Sequence, residues 1–282
     1  MQLTSEELGQ RAGQALERIR RQRPLVHHIT NLVVMNDTAN VTLHVGALPV
    51  MAHALEEVAD MVKLAGALVL NPGTLTPAWV EAMLAAGRRA NELGVPVVLD
   101  PVGAGATPFR TASCLRLLDA LRVAVLRGNA GEIGALSGAG GEVKGVESVR
   151  GVDKPLEVAA SLARARQTVV AITGPRDILS DGRRALAVDN GHEWLAANTG
   201  TGCMSTTMIA AFCAVEPDYL LAAAAALACY GLAAELAAEN AAGPASFKVA
   251  LFDHLYNLSP QRLAEGARIS ALEAPGAAGG EA

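Results

Sequence analysis

Six short β-like runs, at 25–30, 48–52, 67–71, 95–100, 123–127 and 168–173, punctuate this chain, and several are apolar almost from end to end. A strand with one wet face alternates apolar and polar residues. A continuous Val/Leu/Ile run instead suits a strand covered on both sides, the condition of a parallel sheet wrapped by crossover helices. Helical segments separate most of the runs. In the clearest unit, Thr76-Pro77 supplies a cap and first turn, 79–93 an amphipathic helix, Gly94 a stop and 95–100 the next strand, which together make half a βαβ unit. Thr4-Ser5-Glu6-Glu7 predicts a capping box opening a first helix that ends before Pro24. Two short runs within 178–189, on either side of Ser180-Asp181-Gly182, predict a hairpin that adds antiparallel edge strands. From Thr201 onward the pattern is chiefly helical, and 273–282 reads as a disordered tail. The fold class is therefore α/β, with a mostly parallel central sheet and some antiparallel edge strands.

No linker divides the chain, so 1–272 is expected to form a single domain, large enough to hold one extended sheet. The net charge of −5 and the absence of a Lys/Arg tract exclude an electrostatic footprint for nucleic acid. Small molecules are the expected partners. Residues 219–234 are uncharged and alanine-rich, but they fall short of about 20 strongly apolar residues and end at Glu235 and Glu239, which predicts a buried core helix and no membrane span. Cys114, Cys203, Cys213 and Cys229 form no CxxC pair and no zinc spacing with histidine, so they are read as reduced thiols. With a polar, acidic N-terminus that lacks secretory features, the expected location is the cytoplasm.

The chemistry concentrates where apolar runs end in polar residues, because ligands of open α/β sheets collect outside the carboxyl ends of the strands. Asp100 closes 97–99 ahead of Pro101-Val102-Gly103-Ala104-Gly105; Arg127 closes 123–126 ahead of Gly128-Asn129-Ala130-Gly131-Glu132; Thr173 closes 169–172 ahead of Gly174. Asn198-Thr199-Gly200-Thr201-Gly202-Cys203 then runs into a helix start, where unpaired N–H groups and the helix dipole favour an anion, and glycines let a phosphate reach the main chain. A thiol there is acidified by the helix terminus and raised again by a bound phosphate, so the direction of its net shift stays open. Asp100 and Glu132 are hard oxygen donors of the kind Mg²⁺ uses together with substrate phosphates. Arg127 offers a planar fork for phosphate charge. Singly these residues have plain structural uses as caps, ion-pair partners and first-turn acids. Together they point to phosphoryl transfer. His27 and His28, lacking a Cys/His cluster, read as packing or hydrogen-bonding residues, while Met51 either packs against a heteroaromatic ring or simply fills the core. Neither a GxxxxGK[ST] loop nor a complete dinucleotide fingerprint is present, so another kinase architecture is required.

Taken in order, Pro24-Leu25-Val26-His27-His28-Ile29-Thr30-Asn31, Val33-Val34-Met35-Asn36-Asp37-Thr38-Ala39-Asn40, Pro49-Val50-Met51-Ala52-His53, the Asp100 and Arg127 segments above, and Thr199-Gly200-Thr201-Gly202-Cys203-Met204 resemble the hydroxyethylthiazole kinases, a thiamine-pathway branch of the ribokinase-like superfamily. The resemblance covers nearly the whole chain and implies a three-layer α/β/α fold with helices on both faces. It further implies that ATP and Mg²⁺ serve phosphorylation of the primary hydroxyl of 4-methyl-5-(2-hydroxyethyl)thiazole. Asn129 and Glu132 would belong to the NxxE motif that organises magnesium and phosphates, and Asp100 would assist at the metal. Arg127, Thr173 and Gly202 would contact ATP. Met51, Gly200 and Asn31 would contact the thiazole. Cys203 would be the catalytic residue, at a position where most of the superfamily carries Asp. The family pattern has Asn where this chain has His28 and an aromatic where it has Leu32. By the same analogy the protein forms a homotrimer with active sites between subunits. The alternatives are a nucleotide-dependent NAD(P)H-hydrate dehydratase on the same fold, which should carry Asp in place of Cys203, and a non-catalytic thiazole or thiamine-binding module.

Overall fold

Strand β3 (Ala67–Leu70) shows why the apolar runs lack alternation: Ala67 and Val69 enter one core while Leu68 and Leu70 enter another on the opposite face. Strands β4 (Val97–Leu99), β5 (Val125–Asn129) and β6 (Val169–Thr173) divide likewise, so both faces of the sheet's centre are dry. Each fully buried aliphatic side chain contributes roughly 1.5–3 kcal/mol, and a strand buried on both faces collects that from every residue. A computed structural model describes residues 3–138 and 154–273. The tail expected at 273–282 lies, beyond Glu273, outside the described residues.

The described residues build one nine-stranded sheet. Its order begins at β2 (Leu48–Val50), continues through β1 (Leu25–Ile29), β3, β4, β5 and β6, and ends with β7 (Asp177–Ser180), β8 (Ala185–Val188) and β9 (Ile269–Leu272). The first six strands are parallel and the last three pairings antiparallel. The predicted 178–189 hairpin is β7–β8, its turn held by the Asp181 carboxylate, which accepts from the amides of Arg183 and Arg184 at 2.9 and 2.6 Å.

One face carries α1 (Ser5–Gln22), α2 (Met35–Val45), α8 (Thr201–Cys213), α9 (Tyr219–Ala238), α10 (Pro244–Asn257) and α11 (Pro260–Gly266). The other carries α3 (Val58–Val62), α4 (Pro77–Leu93), α5 (Pro108–Ala120), α6 (Ala130–Gly138) and α7 (Pro155–Arg166). The capping box of α1 forms between Thr4 and Glu7, while α4 starts on a Thr76 cap and stops at Gly94 in the left-handed region, φ 71°. Helix α9 is long and apolar enough to cross a membrane, yet it is buried as the central helix of its layer.

Candidate active site

The carboxyl ends of β1, β3, β4, β5 and β6 lie side by side in the sheet, and α8 packs across β1, β3, β4 and β5 with its N-terminus among their closing residues. Gly200 starts the helix at φ 85°, and an added Cβ there would lie 2.7 Å from Val34 Cγ1, so both conformation and space call for glycine. As at α2, α3 and α7, no side chain among the described residues caps α8. Its first-turn amides are open to an anion. The loop ahead is pinned by Thr201, whose hydroxyl donates to the carbonyls of Leu195 and Asn198 at 2.8 and 3.1 Å.

Gly202 lets the guanidinium of Arg127 lie against this turn: a Cβ there would sit 2.8 Å from Arg127 Nη1. Arg127 Nη2 donates to Thr173 Oγ1 at 2.5 Å, Nη1 lies 3.9 Å from Asp100 Oδ2, and Nε has no partner among the described residues. Asp100 is completely buried. Its Oδ2 accepts from Asn71 Nδ2 at 3.1 Å and Thr206 Oγ1 at 2.9 Å, while Oδ1 has no hydrogen bond among the described residues. Burial raises its pKa to about 6 against the opposing pull of Arg127.

Asn129 and Glu132 cap each other at the start of α6. Asn129 Oδ1 accepts from the Glu132 amide and Glu132 Oε2 from the Asn129 amide, both at 2.9 Å. Glu132 Oε1 also accepts from the Gly103 amide at 2.9 Å and so ties the loop after β4 to the turn after β5. Beyond Arg127 a cleft of about 680 Å³ opens between Thr173 and Asp177 on one side and His192, Leu195 and Gly202 on the other, with Tyr230 among its lining residues.

Cys203 is half-buried, and its sulfur accepts from Asn31 Nδ2 at 3.6 Å. Burial, with the neighbouring Asp100 charge adding to it, pushes the thiol up to about 12 despite the opposing effect of Asn71, Arg127 and Asn31. Among these influences burial is the largest, and it favours the neutral thiol.

A model of the hydroxyethylthiazole kinase family matches residues 16–261. The chain belongs to the hydroxyethylthiazole kinase family. A hydroxyethylthiazole kinase from Desulforudis audaxviator is 69% identical over 269 residues, which cover 95% of this chain and 98% of that one. The structure of a hydroxyethylthiazole kinase protein from Pyrococcus horikoshii OT3 superposes with a TM-score of 0.86 at 48% identity, covering 93% of this chain and 99% of its own. At 14% identity, a ribokinase-like superfamily protein from Enterococcus faecalis shares the fold alone, with a TM-score of 0.63 over 88% of this chain and 95% of that one. The protein is a kinase with the three-layer ribokinase-like architecture.

Within this hydroxyethylthiazole kinase family member, Asn31, Asp100, Arg127, Thr173, Gly202 and Cys203 converge on one end of the sheet. Met51 stands apart at the end of the edge strand β2, half-buried and outside the hydrogen-bond network of the others. His27 and His28 are spent on packing: His27 Nε2 lies 2.5 Å from the Ala52 carbonyl oxygen and His28 Nε2 3.3 Å from Thr42 Oγ1, with burial lowering His28 to about 3. Asn71 and Thr206 are the participants that sequence reading missed. Asn71 closes the apolar run at 67–70, so the strand-end rule that found Asp100, Arg127 and Thr173 would have found it too. Thr206 carries no such mark, since one hydroxyl in a small-residue helix looks like its neighbours.

Proposed function

We propose that this kinase transfers the γ-phosphoryl group of ATP to the primary hydroxyl of 4-methyl-5-(2-hydroxyethyl)thiazole, giving the thiazole monophosphate and ADP for thiamine supply. The observation that carries this reading is the uncapped start of α8, where Gly202 admits Arg127 and Cys203 faces the Asn31 side. The alcohol oxygen attacks the γ-phosphorus as the bond to the β-phosphate bridging oxygen breaks, and the hydroxyl proton passes to the transferred group. Such a transition state is loose, so catalysis is mostly positioning and charge stabilisation. The amides of Thr201, Gly202 and Cys203 hold phosphoryl oxygens, and Arg127, steadied by Thr173, offsets their charge. Cys203 orients the alcohol by hydrogen bonding and does not deprotonate it, in keeping with its raised pKa.

The residues fit magnesium. Asp100 Oδ1 is a buried carboxylate oxygen without a hydrogen bond, the kind of donor a hard cation takes. Asp100 and Glu132 would hold the ion together with phosphate oxygens, and when bound it supplies positive charge to those oxygens. Asn129 holds Glu132 in place for that task. The nucleotide occupies the cleft beyond Arg127. The thiazole lies on the other side of α8, near Asn31 and Gly200, with Met51 against its ring. Leu32 and Val33, 62% and 65% exposed beside Asn31, support a homotrimer in which a neighbouring copy completes that pocket. Buried or half-buried free cysteines support action in the cytoplasm.

A panel of alcohols offered with ATP and Mg²⁺, comprising the thiazole alcohol, pyridoxal, a hydroxymethylpyrimidine and ribose, tests the reading through ADP release and product mass. Phosphorylation of the thiazole alcohol well ahead of the rest is expected. Preference for another alcohol, ADP release only with hydrated NADH, or thiazole binding without turnover would each overturn it.

A further inference from the structure

Two asparagines close adjacent parallel strands in the same way. Asn31 follows β1 and its Oδ1 accepts from the amide of Val33 at 3.1 Å; Asn71 follows β3 and its Oδ1 accepts from the amide of Gly73 at 3.1 Å. These turns decide which way each carboxamide points, because a flipped amide would set an NH₂ group against a backbone N–H. With the oxygens assigned, both NH₂ groups project the same way along the row of strand ends. Asn31 Nδ2 donates to Asn71 Oδ1 at 3.0 Å and reaches Cys203 Sγ at 3.6 Å; Asn71 Nδ2 donates to Asp100 Oδ2 at 3.1 Å. Gly73 makes the approach possible, since an added Cβ there would lie 2.8 Å from Asn31 Cβ and Nδ2. Asn31 is 5% exposed, Asn71 1% and Asp100 0%, so no solvent competes for these bonds.

We propose that Asn71 is a positioning residue that joins the thiol of Cys203, through Asn31, to the carboxylate of Asp100, fixing the spacing between the alcohol side and the phosphate side of the site. The inference rests on the thiazole kinase reading above. Asn71 touches Asn31, Asp100 and the Cys203 sulfur, and acts on the bound alcohol and phosphate through them. It accepts from Asn31 and so aims the Asn31 NH₂ at the sulfur. It donates to Asp100 Oδ2, which Thr206 also occupies, so that Oδ1 is the carboxylate oxygen turned free. One amide thus sets two orientations on opposite sides of the transferred group.

The test is steady-state kinetics and calorimetry on Asn71→Ala, the isosteric Asn71→Asp, Asn31→Ala and the double variant Asn31→Ala/Asn71→Ala, after the parent enzyme has been shown to phosphorylate the thiazole alcohol. An inactive parent speaks against the functional reading and is seen before any variant is compared. For Asn71→Ala the expected result is a kcat at least 30-fold lower, with KM for alcohol and ATP and the calorimetric Kd for the alcohol alone within threefold of the parent. The double variant should lose far less than the product of the two single losses, because both break one chain. Should Asn71→Ala fail to fold, Asn71→Asp decides, since it keeps the shape and the acceptor for Gly73 while setting a second carboxylate beside Asp100; it too should lose at least 30-fold in kcat. A kcat within threefold of the parent in the folded variant, single losses that multiply in the double, or an alcohol Kd that weakens as much as kcat falls would overturn the proposal.

Discussion

Gly202 and Arg127 share one volume: the space a Cβ would take on the glycine is filled by the guanidinium, 2.8 Å away at Nη1 and 3.2 Å at Nη2. Because the obstructing atoms are the tip of a flexible side chain, a methyl group there would displace Arg127 more readily than it would break the helix. Gly202→Ala should therefore fold, with a melting temperature equal to or above the parent's, since alanine in a helix is favoured over glycine by about 1 kcal/mol. Its KM for ATP should rise about tenfold or more as Arg127 loses the Thr173 bond. A thermal melt beside ATP titration of the rate checks both halves.

The thiol of Cys203 stands far from titration at neutral pH, pushed up to about 12 mainly by burial. In the proposed mechanism its role is to hold the alcohol, which a neutral hydroxyl would partly replace. Cys203→Ser should keep kcat within about tenfold of the parent, Cys203→Ala should lose more, and the parent pH–rate profile should show no limb belonging to a thiol near its usual pKa of about 8.5. Full activity in Cys203→Ala would remove the residue from the mechanism.

Asp177, at the start of β7 and lining the cleft beyond Arg127, is 8% exposed, and burial lifts its pKa to about 6 against a hydrogen bond from the Gly174 amide. A carboxyl whose folded pKa is raised favours folding fully at acid pH, and that contribution is lost as pH rises from the ordinary carboxylate range through about 6. Asp177→Asn keeps the acceptor for Gly174 without the charge. It should match the parent near pH 4 and exceed it by up to about 3 kcal/mol at pH 8, from roughly 1.36 kcal/mol per pKa unit, in urea unfolding followed across that range.

Leu32 and Val33 are exposed beside Asn31. If a neighbouring copy covers them, Leu32→Asp together with Val33→Asp should convert a trimer to monomers in sedimentation equilibrium and weaken thiazole binding. A parent that sediments as a monomer would contradict the assembly.

The fold was legible because each central strand is apolar on both faces, a pattern with few other uses, and because caps such as Thr76 and stops such as Gly94 obey local rules. Strand β5 runs on through Asn129, two residues beyond the expected end, because its partner β6 continues to Thr173 and pairs it there. Strand β9 escaped notice: four residues without clear alternation pair antiparallel with β8, distant in sequence, so no turn signal marks them. In the site, Asp100, Arg127 and Thr173 were visible as polar stops to apolar runs. Invisible were the directions of the Asn31 and Asn71 amides, set by backbone N–H groups two residues on, and the burial that pushes the Cys203 thiol up.

The most direct measurement is a crystal structure of the protein with Mg²⁺, a non-hydrolysable ATP analogue and the thiazole alcohol, reading distances from the γ-phosphate oxygens to the amide nitrogens of Thr201, Gly202 and Cys203. Hydrogen-bond distances there, with Arg127 on the same phosphate and the alcohol oxygen on the far side in line with the phosphorus, are the predicted result. Terminal phosphates bound elsewhere, with the start of α8 left to solvent, would contradict the account.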